Sequence, residues 1–186
     1  MSITTIKWRN EKYQYHREEG PARIVKRNGK VIINEWFING ERHRDKYPAV
    51  ENYFSDIEDN YYYDKETDLK ISNGIMKWYQ HGILHRDTDN PSVVNINTLV
   101  KNYEYHYIGQ VHRLLGPAKI TIIDDAKYET FYINNNFIPS NEFYKIVFLV
   151  RKFIRKIRFS IYKKYNNILL EHFPYYHAIT SLITKI

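Results

Sequence analysis

Four histidine–arginine pairs recur in the first two thirds of the chain, and their residue types suit metal binding or proton transfer. Imidazole nitrogens bind metal ions and exchange protons near neutral pH. A ladder of metal sites or a row of acid–base groups is therefore one interpretation. The other is a packing device, in which each arginine stacks on an aromatic ring of its own segment and each histidine bonds loop backbone. The pairs are His16-Arg17, His43-Arg44, His85-Arg86 and His112-Arg113.

The spacing of the pairs favours packing over chemistry. Successive pairs are 27, 42 and 27 residues apart, which indicates two-stranded units. With strands ~4.8 Å apart, equivalent histidines lie roughly 10 Å from each other. A metal–nitrogen bond is ~2 Å long, so histidines of neighbouring units do not reach one ion. Catalysis also needs one asymmetric group of residues and not four copies, and we expect no metal and no cofactor at the pairs.

Other signatures of catalysis are missing from the sequence. The chain has no cysteine, which removes disulfides, thiolate metal sites and cysteine nucleophiles. It contains no glycine-rich phosphate loop, no nucleophile elbow and no His-Glu-x-x-His motif. We therefore expect that the protein is not an enzyme.

Each pair belongs to a longer frame. An aromatic residue begins the frame, a turn leads to His-Arg, and a short loop ends at proline and a small residue; the first residues are Trp8, Trp36, Trp78 and Tyr105. A fifth copy at 131–139 has Ile138 in place of histidine, and terminal repeats are often atypical because they cap a stack. The four full segments are WRNEKYQYHREEGPA (8–22), WFINGERHRDKYPA (36–49), WYQHGILHRDTDNPS (78–92) and YHYIGQVHRLLGPA (105–118).

Turn signals and β-branched runs between the segments predict hairpins. The strand that follows the first turn signal is expected over 31–38. Stacked hairpins bury a shared face that one hairpin lacks. The sequence predicts a mainly β fold over residues 1–138, an antiparallel meander of hairpin repeats. The turn signals are Asn28-Gly29, Asn39-Gly40, Asn73-Gly74 and Asp124-Asp125.

The frame W-x-x-N-G-x-x-H-R-x-x-G-P-A resembles the MORN-like hairpin repeats that occur in tandem in proteins of large DNA viruses and bacteriophages. It covers roughly residues 7–138, although the first segment lacks the Asn-Gly turn. The resemblance implies a non-catalytic scaffold that binds protein partners, as a viral structural or accessory component. Residue usage fits such a source, because Ile, Tyr, Asn and Lys, mostly read from A/T-rich codons, make up 77 of 186 residues.

An acidic insertion separates the second and third segments, at about 52–70. Three alternating acids resemble an EF-hand calcium loop, but Leu69 and Ile75 stand where that loop needs glycine and a bidentate glutamate. A solvated loop is the second interpretation. Neutralisation of the basic tail, within the chain or in a neighbouring copy, is the third. The alternating acids are Asp64, Glu66 and Asp68.

The excess positive charge lies in the last quarter of the chain. Residues 1–138 contain 19 basic and 19 acidic residues, whereas residues 139–186 contain nine and two, which accounts for the net charge of +7. From Phe143 to Ile161 apolar residues recur three or four apart, which predicts an amphipathic helix. It is expected to begin near Ser140 and to end near Asn166-Asn167. Its cations are Lys145, Arg151, Lys152, Arg155, Lys156, Arg158, Lys163 and Lys164.

Three interpretations of this tail, residues 139–186, stay open. Its apolar face caps the sheet edge, its basic face docks on an anionic membrane or nucleic acid, or its apolar face pairs with another helix and produces self-association. We expect an intracellular, non-secreted protein, because the sequence shows no signal-peptide core and no apolar run near ~18 residues. The resemblance to viral repeat proteins implies the host cytoplasm or the virion.

Overall fold

A computed structural model describes residues 1–54, 62–64, 69–71, 73–87 and 89–172. The chain divides into two units, Met1–Ser140 and Asn141–Ile186. The first is mainly antiparallel β-structure and the second contains one long helix. The predicted mainly β class with a C-terminal helix is confirmed.

The first unit is built on one ten-stranded antiparallel sheet. Its strands follow each other in chain order, as a meander requires. Each inner strand therefore pairs with the sheet strand before it and the sheet strand after it. Tight turns join the strands of most hairpins, one connection is the acidic insertion, and the other four connections hold the histidine–arginine pairs. The strands are β1 (Ile3–Lys7), β2 (Arg23–Arg27), β3 (Lys30–Glu35), β6 (Val50–Tyr53), β9 (Gly74–Lys77), β12 (Val93–Ile96), β13 (Val100–Glu104), β16 (Lys119–Ile123), β17 (Ala126–Ile133) and β18 (Asn136–Ile138).

Four short hairpins accompany the large sheet. Three have strands of two residues and directly follow Trp36, Trp78 and Tyr105, and the fourth lies in the acidic insertion. The predicted return strand over 31–38 is therefore interrupted: β3 ends at Glu35, and Trp36 connects it to a separate hairpin. The short strands are β4 (Phe37–Ile38) with β5 (Glu41–Arg42), β7 (Tyr62–Asp64) with β8 (Leu69–Ile71), β10 (Tyr79–Gln80) with β11 (Ile83–Leu84), and β14 (His106–Tyr107) with β15 (Gln110–Val111).

Three of the four turn signals form left-handed turns. The φ values are 49° and 83° at Asn28-Gly29, 48° and 85° at Asn39-Gly40, and 46° and 64° at Asp124-Asp125, as a type I′ turn requires. The prediction for Asn73-Gly74 is wrong. Gly74 begins β9 without a positive φ, and it is glycine because a Cβ there would strike the backbone of Asn52.

The core of the first unit follows from strand register. Met76, Val94, Tyr103 and Ile120 are direct partners on four successive strands, so their side chains share one face of the sheet. All four are buried, and Trp78, Ile96 and Tyr105 join them. Burial of each large apolar side chain stabilises the fold by about 1.5–3 kcal/mol.

The acidic insertion is described only in part. The chain continues in β6 to Tyr53 before β7 and β8 form a three-residue pairing. The calcium hypothesis concerns Glu66 and Asp68, which lie outside the described residues. Most of the acidic segment that would neutralise the basic tail also lies outside the described residues.

The second unit contains helix α1 (Ser140–His172). Asn141 Oδ1 accepts from the Glu142 N–H, 2.9 Å away, at its first turn. The helix does not end near Asn166-Asn167 as predicted, because asparagine costs only about 0.7 kcal/mol in a helix interior. In the sequence, the next strong helix breaker is Pro174. No described helix contains a stretch apolar enough, and long enough, to cross a lipid bilayer.

Candidate functional site: a repeated histidine–arginine frame

In all four segments the arginine lies over the aromatic ring that begins the segment. The guanidinium carbon is 3.7–4.2 Å from the ring centroid, close enough for a cation–π interaction. The expected stacking of arginine on the aromatic residue is thus present four times. The pairs are Arg17 on Trp8, Arg44 on Trp36, Arg86 on Trp78 and Arg113 on Tyr105.

Each of these guanidinium groups also closes the loop that follows it. Its Nη1 donates to the carbonyl of the segment's proline, at 3.1–3.3 Å. Burial lowers the pKa of the Arg86 guanidinium to about 10, so the group stays charged at neutral pH. An arginine held between a ring and a backbone carbonyl is a structural brace. The acceptors are Pro21, Pro48, Pro91 and Pro117.

The small residue after each proline is fully buried. Its carbonyl accepts from the N–H of the segment's aromatic residue at 2.8–2.9 Å, so the start and the end of every segment are joined. A larger side chain does not fit where the backbone approaches this closely. The small residues are Ala22, Ala49, Ser92 and Ala118.

Each histidine side chain bonds the turn of the following segment. Its Nδ1 accepts from a backbone N–H at 3.1–3.3 Å. The expectation that histidine bonds loop backbone is met, but the backbone belongs to the next hairpin and not to its own loop. The histidines therefore link neighbouring segments. The bonds are Asn39 to His16, His81 to His43, Ile108 to His85 and Asn134 to His112, donor first.

The residues that donate to histidine all have left-handed backbones. Their φ values are 47–48°, and Gly40, Gly82, Gly109 and Asn135 follow them, also at positive φ. The N–H of each following residue donates to a carbonyl of the preceding segment at 2.8–2.9 Å. A left-handed turn thus aims two successive N–H groups at the segment before it. Among the donors, Asn39 and Asn134 are of a residue type that favours the left-handed conformation. Isoleucine, at position 108, disfavours it.

The second ring nitrogen of three histidines faces a carboxylate two residues further on. The Nε2 atom is 4.0 Å from Glu18 in the first segment, 3.5 Å from Asp45 in the second and 3.0 Å from Asp87 in the third. Hydrogen bonds from Gln80 and from His85 lower the pKa of the Asp87 carboxyl. Because Nδ1 already accepts, the proton of each neutral imidazole belongs on Nε2.

The imidazole nitrogens of the pairs face groups of the frame. Nδ1 accepts from backbone in all four segments, and in the third segment Nε2 also lies within hydrogen-bond distance of Asp87. Within the described residues, no group of three or more His, Asp or Glu side chains is placed to hold a metal ion. The four histidine bonds join five successive segments, the fifth being the copy at 131–139.

Two polar clusters in the first unit were not predicted, because the sequence of the repeat frame does not indicate them. Glu35 is buried between Arg23 and Arg42, and both arginines bond its carboxylate. Burial alone raises the pKa of Glu35, but the bonds and charges of Arg42 and Arg23 outweigh it and leave that pKa below its usual value. In the third segment, Ser92 Oγ lies 2.9 Å from Nδ1 of His106, whose pKa burial lowers.

The cations predicted on the tail lie along α1. The side chains of Lys145, Arg151, Lys152, Arg155, Lys156 and Arg158 are exposed. Lys163 and Lys164 lie further along the same helix.

Comparison of the chain with protein-family models finds no match, and neither the curated proteins nor the solved structures yield one.

Proposed function

We propose that the first unit is a non-catalytic scaffold, a MORN-like stack of hairpin repeats that binds protein partners, in keeping with a viral structural or accessory component. One observation supports this above all: four segments make the same stack, the same carbonyl bond and the same histidine link. A frame repeated in this way serves to hold a surface in shape.

The side chains that this frame leaves exposed differ from segment to segment. The two residues after the arginine are Glu18-Glu19 in the first segment, Asp45-Lys46 in the second and Leu114-Leu115 in the fourth. All six are exposed. A constant frame with variable exposed positions is what a protein needs in order to bind specific partners.

The fourth segment offers the strongest candidate contact. Leu114 and Leu115 are 48% and 58% exposed, and Tyr107 and Ile108 on the nearby short hairpin are also exposed. Large apolar side chains outside the core commonly mark protein-binding surfaces. We expect a partner with a complementary apolar surface.

Affinity enrichment of the tagged full-length chain from its own cells tests this proposal. The variant Leu114→Ser/Leu115→Ser should reduce recovery of a specific partner at least about tenfold, with an unchanged melting temperature. The matched variant Glu18→Ser/Glu19→Ser, at the same positions of the first segment, should keep that partner. Equal recovery by all three proteins would refute the assignment of this surface.

A further inference from the structure

Helix α1 carries an apolar stripe that is uncovered over part of its length. Phe143 and Val147 near its start are buried, whereas Phe153, Ile154 and Ile157 are exposed, Phe153 by 63%. At about 100° per residue, all five lie within an arc of about 120° on one face of the helix. The stripe therefore continues along the helix beyond its buried residues.

The same part of the helix is strongly and exclusively basic. Five of the eight residues from Arg151 to Arg158 are lysine or arginine, and all eight are exposed. Between Glu142 and Glu171 the sequence has no acidic residue. Phe148, 66% exposed, shares one shallow surface depression with four of these cations. They are Arg151, Lys152, Arg155 and Lys156.

This combination of charge and apolar surface selects among three occupants. A second copy would place two basic segments without carboxylates side by side, so that like charges repel. Nucleic acid would engage the cations through its phosphates but would leave the apolar stripe in water. An anionic lipid surface satisfies both features, because its headgroups attract lysine and arginine and its acyl boundary accepts apolar side chains.

We propose that residues 148–158 of α1 dock on the surface of an anionic phospholipid membrane. The helix lies in the plane of the interface, with Phe153, Ile154 and Ile157 in the acyl boundary and the cations against the headgroups. The long stems of lysine and arginine let their charges reach the headgroups while the helix axis lies lower. This activity goes beyond the scaffold role of the hairpins and does not depend on it.

Flotation of the full-length chain with phosphatidylcholine vesicles, with and without phosphatidylserine, tests the proposal. We expect binding only when phosphatidylserine is present. Each cation near an anionic surface contributes about fivefold, so the variant Arg151→Gln/Lys152→Gln/Arg155→Gln/Lys156→Gln should lower the partition coefficient roughly several hundredfold. A matched variant that removes four exposed charges from the first unit should bind as the unmodified protein does. Its changes are Lys7→Gln, Lys12→Gln, Lys30→Gln and Lys46→Gln.

The apolar stripe gives the second, independent arm of the experiment. The variant Phe153→Gln/Ile157→Gln keeps all cations and should lower the partition coefficient by roughly tenfold or more, since it removes apolar area that would enter the membrane. Both side chains are exposed, so we expect an unchanged far-UV circular dichroism spectrum and melting temperature.

Three results would overturn the proposal. One is failure of the full-length chain to float with phosphatidylserine vesicles. The second is binding that requires the cations but is indifferent to Phe153→Gln/Ile157→Gln, as expected for a purely electrostatic contact that leaves the apolar stripe in water. The third is a dimer in light scattering that the same double variant converts to a monomer, which would assign the stripe to a second copy.

Discussion

Replacement of Arg44 tests the energetic role of the frame in the second segment. Arg44 lies 3.7 Å over Trp36 and donates to the Pro48 carbonyl at 3.1 Å and to Glu51 at 2.9 Å. A cation–π contact contributes about 0.5–2 kcal/mol, a carbonyl bond about 0.5–1.5 kcal/mol and a bond to a charged group about 1.5–3 kcal/mol. Because these contributions overlap at one side chain, we expect Arg44→Ala to lower the free energy of unfolding by about 2–4 kcal/mol.

Arg44→Lys distinguishes the contribution of stacking on Trp36 from the contribution of the positive charge. Lysine keeps the positive charge but has no planar group to lie on the indole and to reach two acceptors at once, so we expect it to recover less than half of the loss. Urea unfolding of the full-length chain, followed by tryptophan fluorescence and far-UV circular dichroism, measures both values. The exposed Lys12→Ala is the control and should change stability by less than about 0.5 kcal/mol. A lysine variant as stable as the unmodified protein would refute the stacking argument.

Three further substitutions test other contacts of the first unit. Glu35→Gln should lower the free energy of unfolding by about 1–3 kcal/mol at neutral pH. Because the native pKa of Glu35 is lowered, the stabilisation from its carboxylate is present above the unfolded pKa and is lost as the pH falls through the native pKa. The difference in urea stability between the variant and the unmodified protein should therefore shrink in acid. Gly74→Ala should lower the melting temperature by about 5–15 °C, since its Cβ meets backbone. Ser92→Ala places in the third segment the residue that the other segments have at this position. Loss of the hydrogen bond to His106 should lower the free energy of unfolding by only about 1 kcal/mol in the same urea assay.

Much of the sheet could be predicted from the sequence because its signals are local. Turns with positive φ favour asparagine, aspartate or glycine, and both Asn28-Gly29 and Asp124-Asp125 form such turns. Gly74 misled the prediction because glycine serves two purposes, a left-handed turn or a close approach of backbones, and only the register of β6 with β9 distinguishes them.

The candidate site could be predicted only in part. The arginine stack lies within one segment, so a short sequence frame shows both partners. The partner of each histidine lies in the next hairpin, 22 to 38 residues further on, and the frame does not specify which hairpin it meets. The Glu35 cluster joins β2, β3 and β5, and nothing in the repeat marks it.

Long-range ¹H–¹⁵N NMR of the histidine rings at neutral pH, with and without zinc, tests whether His16, His43, His85 and His112 are structural acceptors that join one hairpin to the next. If they are, all four carry their proton on Nε2, and zinc leaves their signals unchanged. Protonation on Nδ1 in these residues, or signals that move together on addition of zinc, would contradict this role and point to a metal site.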